Sequence, residues 1–131
     1  MEQLILHLIG DYVTQSQWMA DNKTKAHWPA FAHAMVYSMP FVLLRPSSAA
    51  FLVILLTHFL IDRYRLARYV VVLKNIGFHL GRFDDPDEPA FSNITATGYP
   101  DSVPAWMSVW LLIACDNTLH LLINFLALRY L

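Results

Sequence analysis

Phe51-Leu52-Val53-Ile54-Leu55-Leu56-Thr57-His58-Phe59-Leu60-Ile61-Asp62 decides the fold. An apolar run of this kind reads as a buried or membrane helix, yet it carries an imidazole and a carboxylate four residues apart. That spacing puts both on one helix face. Ionisable groups are expensive in hydrocarbon, so the pair points to a polar centre enclosed between helices.

Working outward, the pattern recurs. His7 and Asp11 repeat His-x-x-x-Asp, and Asp116 with His120 gives its reverse, each inside a stretch that otherwise reads as helix. Gln15 continues the first stripe and Asn124 the last, again at four-residue steps. The chain has 131 residues, 56% of them hydrophobic and 15% charged, with a mean hydropathy of +0.40. This is room for one domain, and its balance is that of a membrane protein. A net charge of -1 gives no electrostatic case for a nucleic-acid partner. Cys115 is the sole cysteine, so an internal disulfide and a Cys-x-x-Cys site are both excluded. The opening residues lack the basic region of a secretory signal, and the first helix is expected to be retained.

The expected fold class is all-α: a four-helix transmembrane bundle forming a single integral-membrane domain over 1–131. Helix one is expected from Glu2 to Met19, helix two from His27 or Pro29 to Leu44 with a kink at Pro40, and helix three from Ala49 through Asp62 to as far as Lys74. Ser47 or Ser48 starts helix three, and helix four spans about Ala105 to Tyr130. Asp21-Asn22-Lys23-Thr24-Lys25 reads as a polar turn. Residues 75–104, rich in glycine and proline, read as an extramembrane loop with an acidic knot at Asp84, Asp85, Asp87 and Glu88, and a short interfacial helix is an alternative for 76–80. Lys23, Lys25, Arg65, Arg68, Lys74 and Arg82 fall on one side of such a bundle, and Arg45 and Arg129 on the other. The charge bias puts the 75–104 loop of such a multi-pass protein on the cytoplasmic side and both termini on the opposite side.

The expected metal ligands are His7, Asp11, His33, His58, Asp62, Asp116 and His120. Four imidazoles and three carboxylates suit two divalent ions, with zinc favoured and manganese or iron as alternatives, and a carboxylate bridging them. The plainer alternative for each pair is a buried hydrogen bond without metal. His33 has no same-helix partner at the favoured spacing, so a core role is equally open to it, although Tyr37 lies one turn beyond. Asp11 and Asp62 are the candidate catalytic carboxylates, moving a proton while metal polarises water. Gln15, Tyr37, Asn117 and Asn124 are expected to orient ligands or substrate. Arg63 and Arg65, just past Asp62, are candidate substrate-binding groups for a phosphate headgroup, with a lipid-interface anchor as the alternative.

The run His7-Leu8-Ile9-Gly10-Asp11-Tyr12-Val13-Thr14-Gln15, together with Lys25, His33 and His58-Phe59-Leu60-Ile61-Asp62, resembles a family of small integral-membrane proteins of bacteria and phages (DUF3307-like). The resemblance covers most of the first 75 residues and reaches helix four through Asp116 and His120. It implies a polar centre of this kind and a bacterial or phage origin, which puts the expected multi-pass bundle in a bacterial inner membrane with both termini periplasmic. More distantly, the chain resembles small membrane-bound proteins described as metal-dependent hydrolases. The sequence carries no serine-nucleophile motif, glycine-rich phosphate loop or nicotinamide fingerprint. The expected function is therefore a membrane-embedded metal-dependent hydrolase acting through metal-activated water on a lipid or lipid-linked ester or phosphoester. The alternatives are a proton or cation transporter or channel, and a phage-encoded regulator of a host membrane protein; a homo-oligomer is a further expected partner state.

Overall fold

Sixteen residues into the chain, Ser16 adopts an extended backbone and its hydroxyl accepts the Met19 N–H at 3.3 Å. This cap starts a new helix where a single one was expected. The computed structural model describes residues 1–79 and 94–131, and the acidic knot at 84–88 lies outside them. The described elements are helical: α1 (Glu2–Leu8), α2 (Gln17–Asn22), α3 (His27–Ser38), α4 (Ser48–Tyr64), α5 (Leu66–His79) and α6 (Ala105–Tyr130). An isolated antiparallel bridge joins Ile94 and Pro100.

Two segments of unusual pitch complete the set. Ile9–Val13 forms a π turn after α1, closed by the Thr14 N–H on the Ile9 carbonyl at 3.0 Å. The insertion accompanies a close helix approach: a Cβ on Gly10 would stand 2.8 Å from the Tyr37 carbonyl oxygen. Met39–Leu44 is a 3-10 segment that starts where Pro40 removes a helical donor, and it ends on Arg45 at φ 51.

The expected third helix is two helices. α4 starts at the Ser47 cap, whose hydroxyl accepts the Ala50 N–H at 3.0 Å, and stops at Arg65, which takes a left-handed conformation with φ 53. α5 then runs to His79, so the segment expected as loop from residue 75 begins as helix.

These breaks correct the expected architecture. The described helices before residue 79 have 7, 6, 12, 17 and 14 residues. A perpendicular crossing takes about 20 apolar residues. Only α6, with 26 residues and mean hydropathy 1.7, is long and apolar enough to cross a membrane among the described residues. The four uniform spans and the sidedness built on them are not supported.

The chain divides into two compact units, Met1–Arg65 with Thr118–Leu131, and Leu66–Asn117. In the first, Leu6, Tyr37, Phe41, Ala50, Ile54 and Ala127 make the apolar core, flanked by Leu44, Val53 and Leu128. In the second, the turn around Gly98 packs on α5: Asn75 donates to the Gly98 carbonyl at 3.2 Å and the Lys74 ammonium to the Tyr99 hydroxyl at 2.9 Å. Gly98 has φ 87, and a Cβ there would stand 2.8 Å from the Arg68 carbonyl oxygen. Cys115 is half-buried on α6, its Sγ 3.9 Å from the Ala67 carbonyl oxygen.

Within the first unit the usual partition of side chains is inverted. On α4, Leu52, Leu56 and Leu60 face outward at 54%, 51% and 43% exposure, whereas His58 and Asp62 are buried beside Ile54 and Ile61. On the last turns of α6, Leu122, Phe125 and Leu126 are exposed and His120 and Asn124 are buried. Leu4, Ile5 and Leu8 of α1 are exposed around a buried His7. The helix faces thus turn their ionisable groups inward and many of their large apolar groups outward.

Candidate metal centre

Four segments deliver the buried polar groups of the first unit. α1 and its π turn carry His7 and Asp11, α3 carries His33, α4 carries His58 and Asp62, and the last part of α6 carries His120. Each residue is buried, and the four-residue spacing within α4 gives His58 and Asp62 a common inward face.

Asp11, His33, His58 and Asp62 form a tight group whose candidate ligand atoms all lie within 4.8 Å of one another. His33 Nε2 is 3.0 Å from His58 Nε2, 3.1 Å from Asp11 Oδ1 and 3.1 Å from Asp62 Oδ2. His58 Nε2 is 3.4 Å from Asp62 Oδ2 and 3.7 Å from Asp11 Oδ1. Four ligands about 2.0–2.1 Å from a tetrahedral zinc stand about 3.3 Å from each other. These separations bracket that value, and the group can hold a metal ion.

Both rings present the same edge. The Nδ1 atoms of His33 and His58 are buried without a hydrogen-bond partner among the described residues, and the contacts of both rings with Asp11, Asp62 and each other run through Nε2. The second oxygen of each carboxylate faces another imidazole: Asp11 Oδ2 is 3.8 Å from His7 Nε2, and Asp62 Oδ1 is 3.9 Å from His120 Nε2. The rings of His7 and His120 stack with centroids 5.8 Å apart.

Tyr37 and Asn124 sit behind these imidazoles. The Asn124 amide donates to the Tyr37 hydroxyl at 2.6 Å, and that hydroxyl is 2.9 Å from His7 Nδ1. His7 is therefore gripped at Nδ1 with Nε2 directed toward Asp11. The Tyr37 ring also stacks on His58, with centroids 3.5 Å apart.

Electrostatically, two carboxylates in a low-dielectric interior require compensation. Lys23, which the sequence had placed in a solvated turn, supplies part of it. Its Nζ is 2.7 Å from Asp62 Oδ2 and 3.3 Å from His33 Nε2. The residue signal for this was weak, since Asp21-Asn22-Lys23-Thr24-Lys25 has the composition of any surface turn, and the resemblance drew attention to Lys25 instead.

Gln15 lies in the break before α2, where its Oε1 is buried without a hydrogen-bond partner among the described residues. Arg63 donates through Nη1 to the Thr24 carbonyl at 2.8 Å, and Arg65 is exposed at the end of α4. Asp116 and Asn117 are half-buried on the part of α6 that belongs to the second unit.

An all-helical fold with a buried histidine–aspartate cluster able to hold metal thus defines the class of the protein. Its first 82 residues match the model of the family described as "Protein of unknown function (DUF3307)", and the chain belongs to that family. The match includes His7, Asp11, Lys23, His33, His58 and Asp62, with His120 beyond it. No curated protein and no solved structure matches the chain.

Proposed function

We propose that the protein is a membrane-embedded, metal-dependent hydrolase acting on a lipid or lipid-linked ester or phosphoester. The observation that carries this reading is the close set formed by Asp11, His33, His58 and Asp62, enclosed by helices whose outer faces are apolar. Soluble monomers rarely expose so many contiguous apolar side chains, whereas lipid accepts them without cost. Interior ionisable groups in such a setting are a mark of function. α6 then crosses the bilayer, with the shorter helices of the first unit embedded around its end.

The paired oxygens favour two ions. Asp11, His33, His58 and Asp62 would hold one ion, and His7 and His120, which face the outer oxygens of Asp11 and Asp62, would help to hold a second. Divalent cations in this place lower the pKa of a bound water and stabilise charge on an attacked carbonyl or phosphoryl oxygen. The residues divide the remaining work: Tyr37 fixes the rings of His7 and His58, Asn124 fixes Tyr37, and Asp11 or Asp62 would take the proton from water.

Elemental analysis of protein purified in mild detergent tests the foundation. About two divalent transition-metal ions per chain are expected, lost in Asp62→Ala and reduced in His120→Ala. Folded protein free of metal overturns the reading. Release of product from a panel of lipid esters and polyprenyl phosphates, dependent on that metal, tests the hydrolytic step; metal-dependent ion flux in vesicles without turnover overturns it in favour of transport.

A further inference from the structure

Lys23 is held in place by more than its ion pair. It closes α2, its N–H bonds the Met19 carbonyl at 2.8 Å, and the following turn is tied by Lys25 and Ala26 N–H groups to the Asn22 carbonyl. Arg63, the residue after Asp62, donates to the carbonyl of Thr24 and so fastens the same turn to α4. The backbone at 23 is fixed from both sides, and the side chain is directed inward. With 21% of its side chain exposed, against 8% or less for the carboxylates and imidazoles it meets, Lys23 is the member of the cluster that reaches the outside.

Charge balance then limits what the centre accepts. Two carboxylates neutralise one divalent ion. A second divalent ion and the Lys23 ammonium leave an excess of positive charge that a single hydroxide does not cancel. In a low-dielectric interior that excess is costly until an anion of more than one charge arrives. A tetrahedral oxyanion meets the requirement, because its oxygens reach both cations and an adjacent ammonium at once, and lysine serves such groups as a compact point charge.

We propose that Lys23 anchors a phosphoryl oxyanion at the metal centre, which makes the substrate a phosphoester; this rests on the metal-dependent reading above. Arg63 is a positioning residue in this scheme. It holds the turn that carries Lys23 and acts through it.

Calorimetric titration of inorganic phosphate into detergent-solubilised, zinc-loaded protein tests the inference. Wild type binds phosphate, Lys23→Gln binds it about ten- to a hundredfold more weakly with undiminished zinc content, and Lys25→Gln binds as wild type. In unmodified protein, phosphate also slows reductive methylation of Lys23, read by mass spectrometry, which covers the case of a variant that fails to fold. Displacement of phosphate by short-chain phosphatidic acid at lower concentration than by glycerol phosphate marks a lipid headgroup, and equal displacement marks a soluble phosphoester; both outcomes support the anchor. Zinc-loaded wild type that ignores phosphate, Lys23→Gln that binds it unchanged, or phosphate that leaves methylation unchanged overturns this inference alone. Wild type that takes up no metal overturns it together with the reading beneath it.

Discussion

The ring of Tyr37 lies on the imidazole of His58, with planes 13° from parallel, while its hydroxyl joins His7 to Asn124. One side chain thus orients two imidazoles from different helices. Tyr37→Phe keeps the stack and removes the hydroxyl, leaving His7 Nδ1 and the Asn124 amide without that buried partner. A loss of about 1–3 kcal/mol in stability follows from the loss of these buried hydrogen bonds. Metal affinity should fall about 10–100-fold because the ring of His7 is no longer held. Denaturant titration in detergent and competitive metal titration measure the two separately.

Gly10 gives a second prediction from close packing. A methyl group there meets Tyr37 Cδ2 at 2.7 Å and the Tyr37 carbonyl oxygen at 2.8 Å. Alanine has the better intrinsic propensity by about 1 kcal/mol, but a clash against backbone cannot be relieved by a rotamer change and costs about 1–3 kcal/mol. Gly10→Ala is therefore expected to be net destabilising, and to lower metal affinity by displacing the adjacent Asp11. Equal or higher stability in the same denaturant titration contradicts the close approach.

How much of this could be read from the chain follows from periodicity. His7, Asp11, His58 and Asp62 were legible because a four-residue step keeps a helix face, and the π turn after α1 still leaves His7 Nε2 3.8 Å from Asp11 Oδ2. Helix ends fixed by local chemistry were legible too, as at Ser47 and Ala105. The break at Arg65 was not, because arginine in a left-handed conformation gives no composition signal, and the continuous apolar pattern runs through it. The cut at Thr14–Ser16 was hidden for a similar reason: Gln15 continues the four-residue stripe of His7 and Asp11 straight across it. Lys23 needed the tertiary fold, since its partner Asp62 is 39 positions away.

The ion pair of Lys23 with Asp62 separates structural from metal-binding roles. Asp62→Asn removes a ligand atom and leaves the ammonium without its 2.7 Å partner. Breaking a buried pair costs about 3–5 kcal/mol, and the lower end is expected because Lys23 can reach solvent. Adding Lys23→Gln should restore part of the stability and none of the metal. A double variant as unstable as Asp62→Asn alone argues against the coupling, which a double-mutant cycle reads directly.

Removal of metal should destabilise the first unit more than any single substitution outside the ligand set. Asp11 and Asp62 are buried together beside one ammonium, so a divalent ion relieves their mutual repulsion in addition to bonding them. At a free metal concentration a hundred times its dissociation constant, binding contributes about 2.7 kcal/mol to stability. Chelation should lower the unfolding midpoint by at least that equivalent, and zinc should restore it. The Asp62→Asn protein, which lacks the Asp62 carboxylate, should respond to neither treatment. A wild-type midpoint that is indifferent to chelator and zinc alike would mean that the four inward atoms stabilise the fold through hydrogen bonds alone.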